Sequence, residues 1–343
     1  MVRSTSTVRS IRYASGVLEL LDQRELPARE LWLRIDDLEH AARAIRDLVV
    51  RGAPAIGLTA AYACVLAARA RGNDREGWLR DLDVLAAARP TAINLRGAVE
   101  QMRGLAEGAP GEAVETLERA ALAMHEADLA ANDTMAGSGA SLIEPGSTVL
   151  THCNTGALAT GGIGTALGVI VRAWNDGRLA RVLACETRPW LQGLRLTAWE
   201  LAHEGVPVEV LVEGAAAAVM QRDGVDWVIV GADRICANGD VANKVGTLML
   251  AVLARRFGAR FMVVAPSTTL DPSTPSGDRI EIEQRDGGEL WRAAGLAGAP
   301  AGVATLNPVF DLTPAELIDC IVTERGVLEP PFGGRIRAAV DEP

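Results

Sequence analysis

Downstream of Pro145 the chain alternates short β-branched runs with segments of helical periodicity. The runs are TVLTHC (148–153), RVLACE (181–186), VPVEVLVE (206–213), VDWVIVGAD (225–233) and ARFMVVAP (259–266). Nearly continuous apolar strands joined by helix-length connections predict a parallel sheet covered by helices, because a parallel pair needs a long crossover and buries both faces. The expected fold class is α/β.

The first 135 or so residues have a different texture. Leu38, Ala41, Ile45, Leu48 and Val49 recur at helical spacing behind Asp36 and Asp37, either of which offers an N-cap acceptor. In RGAPAIGLTAAYACVLAARARG (51–72), Pro54 suits a first helical turn and Gly72 a stop. Further helices are expected over 76–88, 94–106 and 112–141. Two domains follow, 1–135 mainly helical and 136–343 α/β, which also suits a chain of 343 residues. The polar, turn-rich LDPSTPSGD (270–278) is expected as an exposed loop.

The formal charge of −10 argues against a phosphate-backbone binder, so no nucleic-acid partner is expected, and an anionic ligand needs local cations. Five cysteines (Cys64, Cys153, Cys185, Cys236, Cys320), odd in number and never in a CxxC pair, fit reduced thiols and a cytoplasmic location. The N-terminus lacks the order of a secretory signal, and no uncharged apolar run reaches a membrane span of roughly 18 residues. Four histidines without an HExxH pattern give no metal site. The glycine-rich NTGALATGGIGTALG (154–168) has neither the phosphate loop's terminal Gly-Lys-Ser/Thr nor GxGxxG spacing, which removes the main support for ATP or NAD. No cofactor is expected; a small phosphorylated metabolite remains admissible.

In an open parallel sheet, ligands bind beyond the carboxyl ends of the strands. Cys153, Glu186 to Arg188, Asp233 and Pro266 all fall at such ends. An isolated strand-end cysteine is more often a small buried residue, and an aspartate there can cap a helix or pair with Arg234, so local sequence alone leaves both readings open.

Several ordered motifs carry a resemblance: LLDQRELP (20–27), RGAPAIG (51–57), THCNTGALAT (151–160), ETRPWLQGLRLTAWEL (186–201), GADRICANGDVANKVGT (231–247) and NPVFDLTPAELIDCIVTERG (307–326). Together they resemble the methylthioribose-1-phosphate isomerases, over nearly the whole chain. That wider family includes other sugar-phosphate isomerases and regulatory subunits of a translation initiation exchange factor. The resemblance implies a mostly helical N-terminal domain, a Rossmann-like parallel-sheet C-terminal domain, a homodimer, and conversion of 5-methylthioribose 1-phosphate to the ketose in methionine salvage. Residue by residue it implies that Cys153 and Asp233 are catalytic, and that Arg51, Gly52, Ala53, Arg89, Gln192, Asn243 and Lys244 bind substrate, with Arg96 the fallback for Arg89. Ribose 1,5-bisphosphate and 5-deoxyribose 1-phosphate are alternative substrates, and a noncatalytic translation-factor subunit is the alternative class. In that scheme Asp233 protonates the ring oxygen, and a Cys153 thiolate, favoured by the helix expected after GALAT, removes the C2 proton.

Overall fold

The computed structural model of the chain describes residues 6–89, 93–106 and 108–341. It divides into two units: Met1–Asp133 with Gly156–Gly164, and Thr134–Thr155 with Thr165–Pro343.

The first unit opens with three antiparallel strands, β1 (Ile11–Ala14), β2 (Val17–Leu21) and β3 (Trp32–Ile35), in the order β1-β2-β3. The helical reading of this region overlooked them. The turn that makes them possible is Ser15–Gly16, both at positive φ, and the register Ile11↔Leu20 places Leu18 and Leu20 fully inside. The helices follow as α1 (Leu38–Arg46), α2 (Ala53–Arg71), α3 (Arg75–Ala86), α4 (Ile93–Leu105) and α5 (Val114–Ser141). Asp37 caps α1 by accepting the His40 N–H at 2.6 Å, and Asp74 caps α3 by accepting that of Gly77 at 2.9 Å. α2 is the centre of this core: from Ala55 to Val65 every residue is buried, which its alanines permit on all sides. It is long and apolar enough to cross a membrane, and it has the burial of a core helix.

The second unit begins with β4 (Ser147–Thr151), followed by α6 (Ala166–Asn175), β5 (Leu179–Cys185), α7 (Ala198–His203), β6 (Glu209–Leu211), α8 (Ala216–Asp223) and β7 (Trp227–Val230). A hairpin of β8 (Arg234–Cys236) and β9 (Val241–Lys244) precedes α9 (Thr247–Phe257), β10 (Arg260–Val264), β11 (Leu270–Asp271) and α10 (Gly288–Arg292). The chain closes with β12 (Phe310–Thr313), β13 (Cys320–Thr323), β14 (Gly326–Leu328) and α11 (Gly333–Asp341).

Seven of these strands form one sheet, β14-β13-β10-β7-β4-β5-β6, parallel except for the β13–β14 edge. All five runs anticipated from the sequence contribute strands to it, with bounds shifted by up to three residues. Its interior strands are almost wholly buried; β7 reads WVIV with no exposed position, as two covered faces require. Chain order runs one way from β4 through β5 to β6 and the other way from β7 through β10 to β13, so it reverses between neighbouring strands β4 and β7. A second sheet, β11-β8-β9-β12, was not anticipated, because strands of two to four residues leave too little alternation to read. Part of the turn-rich 270–278 segment is thereby strand β11, with Asp271 accepting from Ser273 and Thr274.

Candidate active site

Chain order reverses between β4 and β7, and in open parallel sheets ligands bind beyond the carboxyl ends of the strands at such a reversal. Cys153 follows the end of β4 by two residues and Asp233 follows the end of β7 by three. The two strands are hydrogen-bonded neighbours with Thr151 opposite Ile229, so both residues stand over adjacent strand ends, whose axes are about 5 Å apart in any sheet.

Cys153 is buried and has φ of 61°, a left-handed conformation that costs a non-glycine residue about 1 kcal/mol or more. Its surroundings hold it there. The Thr187 hydroxyl oxygen accepts its N–H at 2.9 Å, and the Thr197 hydroxyl donates to its carbonyl at 2.6 Å. Asn154 beside it donates to the buried Glu200 carboxylate at 2.6 Å and to Thr197 at 3.3 Å. Thr187 is itself at φ 65°, and Leu191 at 60°, so the strain is concentrated on two neighbouring strand tips.

GALAT itself carries a single 3₁₀ turn, Ala157–Ala159, and the helix expected after it is α6. The α-helix proper starts at Ala166. The chain reaches it by an out-and-back loop: Thr165 N–H donates to the Thr155 carbonyl at 2.9 Å, returning α6 to the tip of β4. Glycine is required at position 231, directly after β7, because a Cβ there would lie 2.5 Å from the Thr155 methyl.

Asp233 is half-buried, and its N–H donates to the Ala242 carbonyl at 2.9 Å. The segment after it is strand β8, which removes the helix-cap reading; Arg234 lies 3.7 Å from Asp271. Asn243 and Lys244 end β9. Asn243 is buried and donates to Thr247 at 3.0 Å, while the Lys244 ammonium donates to the Val309 carbonyl at 3.0 Å and lies 5.0 Å from the Phe310 ring centre. Gln192 opens a π-helical stretch, Gly193–Thr197, that leads into α7. Gly193 admits no side chain, since a Cβ would lie 1.7 Å from the Cys185 carbonyl. Gln192 is buried and its Oε1 has no hydrogen-bond partner, which marks it as an acceptor built for something else. Trp190 engages Arg195, whose guanidinium lies 4.4 Å from the ring centre.

Two further titratable groups lie beside these residues, half-buried Asp311 and fully buried His152. The N–H groups of Gly246 and Leu248 donate to Asp311 at 2.7 and 3.1 Å, yet burial raises its carboxyl to about 6. His152 is fully buried, and desolvation pushes its imidazole down to about 4. Asp311 had a legible signal, its place in NPVFDLTP; His152 had none beyond adjacency to Cys153.

The other candidates lie in the first unit. Arg51 is buried and precedes Gly52, the N-cap of α2, with Ala53 as its first residue. Gly52 has φ of 90°, and a Cβ there would lie 2.5 Å from the Ala159 carbonyl oxygen, so the 157–159 turn rests on this helix start. The same loop is held by Gln23, which donates to the Leu158 carbonyl at 2.7 Å, and by Asp128, which accepts the Gly161 N–H at 2.7 Å. His125 contacts the Gly161 carbonyl at 2.9 Å. Arg89 is half-buried just after α3; Arg96 is exposed on α4. Part of RPTAINL, residues 90–92, lies outside the described residues.

Residues 49–330 match the model of the initiation factor 2 subunit family. The methylthioribose-1-phosphate isomerase of Alkalilimnicola ehrlichii is 54% identical over 340 residues, covering 98% of both chains. That of Azotobacter vinelandii is 57% identical over 339 residues, covering 96% of this chain and 94% of the relative. Among solved structures, 5-methylthioribose 1-phosphate isomerase from Pyrococcus horikoshii superposes with a TM-score of 0.90 at 39% identity, covering 98% of this chain and 96% of that one. The translation initiation factor eIF-2B subunit delta from A. fulgidus superposes with a TM-score of 0.87, also at 39% identity, covering 98% and 100%. Matches of this extent place the chain in the initiation factor 2 subunit family, alongside the methylthioribose-1-phosphate isomerases.

Proposed function

We propose that this chain is an aldose–ketose isomerase that converts 5-methylthioribose 1-phosphate to 5-methylthioribulose 1-phosphate in methionine salvage. The observation that carries the reading is the pair Cys153 and Asp233 over the ends of adjacent strands β4 and β7, in a chain more than half identical to isomerases of that name. The second unit is read as a Rossmann-like catalytic domain. Residues 1–135 are read as a domain contributing substrate-binding residues.

An aldose phosphorylated at C1 cannot open by simple reversion to an aldehyde, because its anomeric oxygen is esterified. Asp233, protonated, gives its proton to the ring oxygen as the C1–O bond breaks. The Cys153 thiolate takes the proton from C2, leaving an enol; return of that proton to C1 and loss of the C2 hydroxyl proton to the Asp233 carboxylate complete the ketose and restore both groups. A direct hydride shift from C2 to C1 would leave Cys153 as a stabiliser of charge. Turnover in deuterated water separates the two, since only the enol route admits deuterium at C1.

Gln192, whose Oε1 lacks a partner, is proposed to accept from a sugar hydroxyl, and Asn243 and Lys244 to bind substrate, Lys244 supplying positive charge. Arg51, Gly52, Ala53 and Arg89 are proposed as further substrate-binding residues. A homodimer in the cytoplasm is the expected state.

The test is turnover of the purified protein. Cys153→Ser and Asp233→Asn should each lose most of it while remaining folded; normal activity in both variants refutes the pair. The likeness to a translation-factor subunit supplies the opposing reading, in which wild-type protein has no turnover to lose. Comparing kcat/KM for the methylthio sugar, ribose 1,5-bisphosphate and 5-deoxyribose 1-phosphate identifies the C5 substituent.

A further inference from the structure

The buried imidazole next to Cys153 bridges two segments of the site. His152 Nε2 lies 2.8 Å from the Val245 carbonyl oxygen. A carbonyl only accepts, so Nε2 carries the hydrogen. With the ring neutral, Nδ1 is then an acceptor, and it lies 3.4 Å from the Thr187 hydroxyl. That hydroxyl also receives the Cys153 N–H and lies 3.1 Å from the Cys185 carbonyl.

The far end of the bridge is equally well fixed. Val245 follows Asn243 and Lys244, and its own N–H donates to the Val309 carbonyl at 3.0 Å. Gly246 leaves no room for a side chain beside the imidazole: its φ is 105°, and an added Cβ would sit 2.9 Å from His152 Cε1 and Nε2. Asp311 holds the same turn from the other side through the Gly246 and Leu248 N–H groups. Full burial keeps the ring in the neutral form that this pattern needs.

We propose that His152 is a positioning residue, whose Nε2–H bond to Val245 ties the strand tip bearing Cys153 to the turn bearing Asn243 and Lys244. The bond sets the reacting group and the substrate-binding groups in one register, so that loosening it is felt in both kcat and KM. The inference rests on the isomerase reading above.

Two arms test it. In wild-type protein, ¹⁵N NMR of the four histidines, with His152 assigned by loss of its signals in His152→Gln, should show a neutral Nε2–H tautomer to about pH 5. An Nδ1–H tautomer, or a cationic ring at about pH 7, overturns the proposal. In the kinetic arm, His152→Gln keeps a donor near the Nε2 position and should retain kcat within roughly threefold, whereas His152→Asn ends short of Val245 and should lower kcat about tenfold or more and raise KM. Ile321→Val, a core change on β13, controls for lost stability and should leave both constants unchanged. Wild-type kinetics in His152→Asn, or equal losses in Gln and Asn, also overturn it. Absence of aldose turnover in wild type, with the Nε2–H tautomer present, removes the isomerase reading and supports the bridge.

Discussion

Thr187 Oγ1 accepts the backbone N–H of Cys153 at 2.9 Å across neighbouring strand tips, and both residues have positive φ. The bond supports a backbone conformation that Cys153 would otherwise leave. Thr187→Val keeps the shape and removes the acceptor, leaving a buried N–H unsatisfied at a cost of about 1–3 kcal/mol. Steady-state kinetics should show kcat reduced by roughly tenfold or more, with a smaller change in KM.

Gln192 carries a buried amide oxygen with no partner. Gln192→Met, of similar length and without that oxygen, should raise stability in denaturant titration by up to about 1 kcal/mol. The same variant should raise KM, because the acceptor reserved for substrate is gone. Unchanged KM would remove Gln192 from the binding set.

Gly246 meets two demands at once, a φ of 105° and close approach to His152. Gly246→Ala should destabilise by about 1–3 kcal/mol or more, measured as a shift in denaturation midpoint. A Gly258→Ala variant, at φ of 79° with open space around its Cβ, isolates the backbone part of that cost.

His152 and Asp311 give stability opposite pH dependences in one window. The folded imidazole lies near 4 against an ordinary 6.5, so as pH falls through that interval the unfolded chain takes up a proton first and stability is lost. The Asp311 carboxyl is raised from 3.8 to about 6, so the folded chain takes up its proton first and stability is gained as pH falls through that range. His152→Gln removes only the loss. Its stability relative to wild type should improve by on the order of 3 kcal/mol between pH 6.5 and 4, read from urea titrations at each pH.

Long, repetitive elements were legible in the sequence. The five β-branched runs became five parallel strands, and the periodic stretches became α1 to α5 within a few residues, because burial of both sheet faces and of one helix face writes itself into every position. The opening strands, the β8–β9 hairpin and the π-helical stretch after Gln192 were not legible. Their lengths are three to five residues, too short for a periodicity to show, and β9 also depends on a distant partner, β12.

The same division runs through the site. Residue identity and strand-end placement, read from the sequence, set Cys153 and Asp233 at the carboxyl edge of a parallel sheet. Only tertiary structure decided that β4 and β7 are neighbours, since strand order depends on which way each crossover turns. It also decided that Cys153 is held at positive φ and that His152 bridges to Val245. Those features come from contacts between residues tens of positions apart, and a local pattern carries no record of them.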